Sequence, residues 1–148
     1  MPLFQLSTNL SRADFPQHFH EDLTLILGKL LNKNPRVSKL PSEILPTNVC
    51  SELDLSQHIL VCICTDQFLT CGGTTEACAF GNLASIGNFA GKDNDAYVQV
   101  VSEFIHEKLG IQDSRFTLFL SDYPSNEVGF HGMTIDSFRR KSQTAPAA

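Results

Sequence analysis

The chain has 148 residues, of which 42% are apolar and 18% are charged, a composition typical of one globular domain with its own core. Its formal charge of −5 argues against a protein that binds nucleic acid or anionic membranes through a basic surface. The N-terminus lacks a basic segment followed by an apolar core, and no run reaches transmembrane length. We therefore expect a cytoplasmic location and no contact with nucleic acid or membrane.

The first part of the chain predicts the order strand, helix, strand. Residues 3–8 form a short predicted strand, and Pro2 suits the position before it because proline has no amide hydrogen to donate. From Phe15 onward apolar residues recur at helical spacing, until Pro35 disfavours helical geometry before it. The apolar run at residues 59–64 predicts the second strand.

The later part of the chain repeats this order. A glycine-containing strand is predicted at 79–87, a helix at 91–109 and a strand at 115–122. Residues 128–135 predict short strand pieces, and residues 139–148 predict a disordered tail. Two βαβ units therefore predict an α+β, pseudo-duplicated βαβ-βαβ subunit, with a four-stranded sheet and two helices on one face.

Two of the predicted strands are apolar on both faces. Both alternating sets of side chains in residues 59–64 are apolar, and residues 116–120 repeat this pattern apart from Thr117. Such strands are usually covered on both sides, and two helices can cover only one side of the sheet. The simplest cover for the other side is another copy of the chain, so we expect a homo-oligomer.

The cysteines and histidines predict neither a disulfide framework nor a metal site. The five cysteines are odd in number and include no C-x-x-C motif, which favours reduced, structural thiols. Cys62 and Cys64 stand in an apolar run, where we expect them to fill the core as small residues. The five histidines do not combine with the cysteines at zinc-binding spacing.

Three segments occur in an informative order: MPLFQLSTNL with a following RA, GGTTEACAF with NLASIG, and VGFHGMT. Together with a lysine just after the first helix, they resemble the macrophage migration inhibitory factor family, which includes D-dopachrome tautomerase. The resemblance covers residues 1–35 and 58–138, which form one tautomerase-like domain over 1–138 with an inserted loop at 36–57.

This resemblance implies a homotrimer of βαβ-βαβ subunits whose sheets line a central channel. It implies keto–enol tautomerase activity, without a cofactor, on small aromatic keto acids of the phenylpyruvate type or on dopachrome-like compounds. It also implies cytokine-like signalling in inflammation and innate immunity through a cell-surface receptor, after secretion without a signal peptide.

The resemblance also implies roles for four residues. Pro2 matches the catalytic N-terminal proline, and Lys33 matches the lysine that contacts the substrate carboxylate and carbonyl. Ile86, in the sequence S-I-G, matches a pocket residue whose backbone binds substrate, and Val128 matches an apolar wall of the pocket.

At other positions this chain departs from the family cytokine. Thr117 and Phe119 stand where the cytokine has a pocket tyrosine and asparagine, which leaves the substrate preference open. The cytokine's C-x-x-C pair is reduced to Cys78, with Gly81 in the second place, so thiol oxidoreductase activity of that type is not expected.

Pro2 has two interpretations, a strand starter or a catalytic base. If the initiator methionine is removed, Pro2 becomes a secondary amine, and α-amino groups have an ordinary pKa of about 7.7–8.0. Apolar burial and the nearby Lys33 ammonium both lower that pKa, so the amine is neutral and basic near pH 7. Lys33 then holds the substrate carboxylate and stabilises the developing enolate.

Two other functions stay open. The first is a signalling or binding protein that keeps the tautomerase fold without catalysis, and the second is a ferredoxin-like regulatory module that binds a small ligand. The inserted segment 36–57 is expected to form a surface excursion with one or two helical turns beside the pocket mouth. Its alternative is an insertion without functional effect.

Overall fold

The computed structural model describes residues 2–32, 59–89 and 94–144. The first unit comprises strand β1 (Leu3–Thr8), helix α1 (Phe19–Asn32) and strand β2 (Leu60–Cys64). The second unit comprises strand β3 (Ala79–Ser85), helix α2 (Asn94–Leu109) and strand β4 (Phe116–Asp122). The small strands β5 (Gly129–Phe130) and β6 (Met133–Thr134) and helix α3 (Ile135–Thr144) follow.

The four long strands form one mixed sheet with the order β2-β1-β3-β4. Strand β1 is parallel to β2, β3 is parallel to β4, and the two units join through the antiparallel pair β1 and β3. Each parallel pair is connected through a helix, as a βαβ unit requires. The predicted α+β fold with two βαβ units is therefore confirmed.

Both long helices pack on one face of the sheet. Phe4 and Leu6 of β1 point to this face and are fully buried. Phe19 of α1 and Phe104 of α2 meet with ring centroids 5.3 Å apart. The same core includes Leu23, Leu27, Leu31, Leu83, Val101, Ile105, Ile111 and Phe116. Burying a side chain of this size stabilises the fold by roughly 1.5–3 kcal/mol, so this face supplies most of the stability of the subunit.

The opposite side of the sheet, the open face, has no helix packed on it among the described residues. The strand register arranges its side chains in three rows across β2, β1, β3 and β4. The rows are Leu60, Leu3, Ala84 and Ser121; Cys62, Gln5, Asn82 and Phe119; and Cys64, Ser7, Phe80 and Thr117. Leu60 and Phe119 are each 57% exposed. The open face thus mixes exposed apolar side chains with polar ones.

The prediction that Cys62 and Cys64 fill the core is wrong. The inward positions of β2 belong to Val61 and Ile63, which pack against the core. Because side chains alternate along a strand, both cysteines lie on the open face, where Cys62 is exposed and Cys64 is partly exposed. The apolar run indicated a strand but did not show which alternating set faces the helices.

The prediction of a disordered tail from residue 139 is wrong for residues 139–144, which lie in α3. The hydroxyl of Thr134 accepts a hydrogen bond from the Ser137 amide at 3.2 Å and so caps the first turn. The Arg140 guanidinium pairs with the Asp136 carboxylate at 2.6 Å, one helical turn apart. These local interactions compensate for the polar composition on which the tail prediction depended.

Helix α1 also begins later than predicted. The Phe19 amide donates to the Pro16 carbonyl at 3.2 Å, which makes a turn before the helix rather than its first turn. Phe15 still packs edge-on against Phe19, with ring centroids 4.8 Å apart.

Some of the residues that the sequence analysis singled out lie outside the described ranges. They are Lys33, the inserted segment 36–57 and residues 145–148. Within the described ranges, no helix is long and apolar enough to span a bilayer.

Candidate active site

Leu3 lies at one end of the sheet, where β1 and β2 begin and β3 and β4 end. We call this end of the strands the sheet edge. Leu3 pairs with Leu60 at the start of β2 and with Ala84 near the end of β3. Ser85 in turn pairs with Asp122 at the end of β4. Two strand beginnings and two strand ends therefore converge on one edge.

Pro2 is anchored at this edge. Its side chain is less than 2% exposed, and its carbonyl accepts a hydrogen bond from the Leu60 amide at 2.9 Å. Since the next residue, Leu3, pairs with Ala84, Pro2 lies beside the end of β3. The sheet thus fixes the position of the residue that the family resemblance matches to a catalytic proline.

Ile86 is fixed at the same edge by bonds between β3 and β4. The Tyr123 amide donates to the Ser85 carbonyl at 2.9 Å, and the Gly87 amide donates to the Asp122 carboxylate at 2.5 Å. Gly87 has a φ of +71°, which glycine adopts without steric cost. The S-I-G sequence therefore makes a tight exit from β3 that presents Ile86 at the end of the sheet.

Val128 is positioned by the first turn of α3. The Val128 carbonyl accepts a hydrogen bond from the Ile135 amide at 2.8 Å, and the Ser125 carbonyl accepts one from the Asp136 amide at 3.1 Å. Ile135 is 7% exposed, so it anchors the helix on the subunit. The segment 123–128 is therefore held between the end of β4 and a helix that the sequence did not predict.

These elements line an open cavity of about 380 Å³ at the sheet edge. It is lined by Leu3, Leu60, Asn82, Ala84, Ser85, Ile86, Tyr123, Glu127, Val128 and Gly129. The cavity brings together Ile86 and Val128, which are far apart in the chain. Pro2 itself does not line the cavity. Its two neighbours do, namely Leu3, which follows it in the chain, and Leu60, whose amide donates to its carbonyl.

The two other candidate pocket residues lie on the open face of β4, outside this cavity. Phe119 pairs with Asn82, which does line the cavity, and Thr117 pairs with Phe80 one row further away. Within one subunit, neither residue is part of the cavity lining.

Sequence reasoning missed two polar residues of the cavity, Tyr123 and Glu127. No motif marks them, because they stand between β4 and the VGF segment and only the course of that loop brings them to the cavity. The described lining contains no lysine or arginine, so Glu127 gives it a negative charge. A mostly apolar cavity with a few polar groups suits a small, largely apolar ligand.

The remnant of the C-x-x-C motif is structural. Cys78 is 2% exposed and its thiol points to the Leu69 carbonyl, with a sulfur–oxygen distance of 3.8 Å. A Cβ atom at Gly81 would lie 3.2 Å from a methyl of Leu118 and 3.4 Å from the Phe4 ring. The glycine position thus faces the packed core, where a second thiol would not be accessible.

The fold and the cavity at its proline edge define a tautomerase-superfamily subunit. A family model described as macrophage migration inhibitory factor matches residues 53–136, more than half of the chain. The protein therefore belongs to the macrophage migration inhibitory factor family.

Individual relatives support this assignment. The chain is 28% identical to a macrophage migration inhibitory factor homolog of Trichinella spiralis over 135 residues, which cover 91% of this chain and 100% of the relative. It is also 28% identical to macrophage migration inhibitory factor of Rattus norvegicus, with coverage of 91% and 99%.

Solved structures show the same fold. The Trichinella spiralis macrophage migration inhibitory factor superposes with a TM-score of 0.72 at 28% identity, covering 89% of this chain and 98% of that one. A homologue from Prochlorococcus marinus superposes with a TM-score of 0.69 at 21% identity, covering 90% and 98%. The second likeness concerns the fold alone.

Proposed function

We propose that the protein, after removal of Met1, is a cofactor-independent keto–enol tautomerase that uses Pro2 as its base. The substrate class is a small aromatic keto acid of the phenylpyruvate type or a dopachrome-like compound. The observation that carries this proposal is the cavity at the sheet edge, because Ile86 and Val128 line it together with Leu3 and Leu60, the two residues that adjoin Pro2.

The proposed chemistry is a proton transfer. The Pro2 nitrogen, as a free secondary amine, removes a proton from the carbon next to the substrate carbonyl, and the electron pair moves to the carbonyl oxygen as an enolate. In the keto-to-enol direction a proton is then delivered to the enolate oxygen. In the enol-to-keto direction the hydroxyl proton is lost first, and the protonated Pro2 nitrogen delivers a proton to the carbon. After removal of Met1, apolar surroundings of the Pro2 nitrogen would disfavour its ammonium form and so lower the pKa of the amine toward neutral pH.

Lys33 is the proposed partner of Pro2. It directly follows Asn32, the last residue of α1. Its ammonium supplies the positive charge that the described cavity lining lacks, and that charge binds the substrate carboxylate and stabilises the enolate as it forms.

We further propose that the protein is a homotrimer built through the open face. Exposed apolar side chains such as Leu60, Phe80 and Phe119 form a surface of the kind that a second copy covers. In this assembly Thr117 and Phe119 of one subunit complete the pocket of another. Family membership supports a cytoplasmic store of the protein, secretion without a signal peptide, and cytokine-like signalling through a cell-surface receptor.

The test compares mature protein, with its N-terminus established by mass spectrometry, with protein that keeps Met1. We expect the mature form to tautomerise phenylpyruvate and the Met1 form to be inactive, because its Pro2 nitrogen is a non-basic amide. Pro2→Gly should lower kcat/KM by about 10²-fold or more, and Lys33→Ala should do so without loss of folding. Equal turnover with and without Met1 would refute a proline base.

A second candidate function is a signalling or binding protein that retains the fold without catalysis. It is favoured by Thr117 and Phe119, which replace the cytokine's pocket tyrosine and asparagine, and by the carboxylate of Glu127 in the cavity. Calorimetric binding of phenylpyruvate by the mature protein, together with turnover no faster than the Pro2→Gly variant, would establish this alternative.

A further inference from the structure

The open face carries two thiols side by side on β2. Strand pairing with β1 fixes their positions, because Cys62 stands opposite Gln5 and Cys64 stands opposite Ser7. Both side chains therefore point to the same side of the sheet, and their sulfur atoms lie 4.0 Å apart. The strand geometry thus holds a dithiol in place without any loop.

Packing does not account for these two thiols. Cys78 is buried, and Cys71 reaches the Ser114 carbonyl with a sulfur–oxygen distance of 4.0 Å, so each has a structural environment. Cys62 is exposed, and its thiol has Cys64 as its neighbour. The exposed sulfur of Cys62 and the partly exposed sulfur of Cys64 thus form a pair of neighbouring soft ligands.

The distance between the sulfur atoms suits a shared metal ion. Metal–thiolate bonds of about 2.3 Å, the length found for zinc, let two sulfur atoms be at most about 4.6 Å apart across one ion. The observed 4.0 Å lies within this limit. Binding of one ion between these two sulfur atoms therefore requires little movement of the strand.

The number of ligands selects the ion. Structural zinc requires four ligands, and in the described ranges no group of three or more His, Cys, Asp or Glu side chains is placed to hold a metal. Thiolates are soft ligands that favour Cu(I), which does not demand oxygen or imidazole donors. A site with two thiolates therefore favours a soft monovalent ion over zinc, calcium or magnesium.

A disulfide between the two cysteines is a poorer outcome of the same geometry. Residues two apart on a strand have Cα atoms about 6.5 Å apart, near the upper end of the range that a disulfide spans. A bond there is strained and easily reduced. The pair is thus better arranged as a dithiol ligand than as a structural bridge.

We propose that Cys62 and Cys64 form a two-thiolate binding site for Cu(I) on the open face. Binding releases the two thiol protons to solvent and leaves the ion coordinated by both sulfur atoms, without a change in oxidation state. Cys62 and Cys64 stand on β2, whereas Phe119 stands on β4 at the other side of the sheet, so the site does not use the residues proposed to complete a neighbouring pocket. It is independent of Pro2 and of tautomerase activity.

The test is an anaerobic titration of the reduced full-length protein with Cu(I) in competition with a chromogenic Cu(I) chelator. We expect one ion per chain, and an X-ray absorption spectrum that shows sulfur ligands. Cys62→Ser and Cys64→Ser should each weaken binding at least about tenfold, because each removes half of the ligand set.

Cys71→Ser and Cys50→Ser are the matched controls, and both should keep the affinity. Circular dichroism and light scattering of every variant establish that fold and assembly are unchanged. The proposal is overturned if Cu(I) does not bind, if the Cys62 and Cys64 variants bind as tightly as the parent, or if either control loses binding equally. The proposal is also overturned if excess glutathione removes all of the Cu(I), because the protein thiols would then bind the ion no better than free thiols do.

Discussion

The two faces of the sheet are made by the same strands and have different roles. On the helix-covered face, Phe4 and Leu6 are fully buried. On the open face, their neighbour Gln5 is exposed, Phe119 is 57% exposed, and the Ser121 hydroxyl bonds to the Asn82 side chain at 2.9 Å. One face is thus a core completed within the chain, whereas the other is a surface on which ligands and further copies can bind.

The largest expected difference between the faces is in stability. Leu6→Ala should lower the free energy of unfolding by about 2–5 kcal/mol, because it removes a fully buried side chain and leaves a cavity. Gln5→Ala, one residue away on the open face, should change it by less than about 0.5 kcal/mol. Urea denaturation at one protein concentration measures both, and equal shifts would contradict the assignment of the faces.

The next largest effect concerns assembly. Phe119→Glu should convert the proposed homotrimer into a monomer of 16.3 kDa, because each contact between subunits would bury a carboxylate without a partner. Leu25→Glu on α1 is the matched control, since Leu25 has the same 57% exposure as Phe119. Light scattering should show dissociation only for Phe119→Glu. An unchanged mass for that variant would exclude the open face as the interface.

A smaller effect is expected where the open face meets the cavity. Glu127→Gln should raise kcat/KM for an anionic keto acid by about threefold, because it removes a partly screened negative charge from the lining. The uncharged ester of the same compound should react with both forms equally. If the acid and the ester respond alike, Glu127 acts through the shape of the cavity and not through its charge.

The smallest effect concerns thiol reactivity on the open face. The pKa of Cys62 is raised above its usual value. The largest cause is a hydrogen bond with Cys64, and the smaller causes are charge interaction with Cys64 and desolvation. Cys62 therefore has less thiolate at pH 8 than an isolated cysteine, and thiolate is the form that alkylates. Cys64→Ala should speed alkylation of Cys62 by iodoacetamide a few-fold, measured by mass spectrometry. A slower reaction would contradict the coupling of the two thiols.

Local patterns in the sequence were sufficient for the main elements. The helical spacing that begins at Phe15 and the apolar run at 59–64 predict α1 and β2, although α1 begins at Phe19 because the Pro16 carbonyl closes a turn instead. Helix α3 was missed because its anchor, Ile135, precedes the polar tail on which the prediction of disorder was based. Composition alone does not show that a polar segment is capped and anchored.

Only part of the site was predicted, because local sequence patterns do not show which distant residues the fold brings together. Pro2, Ile86 and Val128 stand in recognisable motifs, and the structure brings the last two into one cavity. Tyr123 and Glu127 have no motif, because they reach the cavity only through the path of the loop between β4 and α3. Lys33 and the proposed role of segment 36–57 remain predictions.

The sequence by itself determined the two βαβ units, because hydrophobic periodicity and turn residues act over a few neighbouring positions. It also indicated that the sheet needs cover on its second side. Only the tertiary structure decided which alternating set of β2 faces the helices, and hence that Cys62 and Cys64 lie on the open face rather than in the core. That choice depends on the register with β1 and on packing against α1 and α2, which are contacts between residues far apart in the chain.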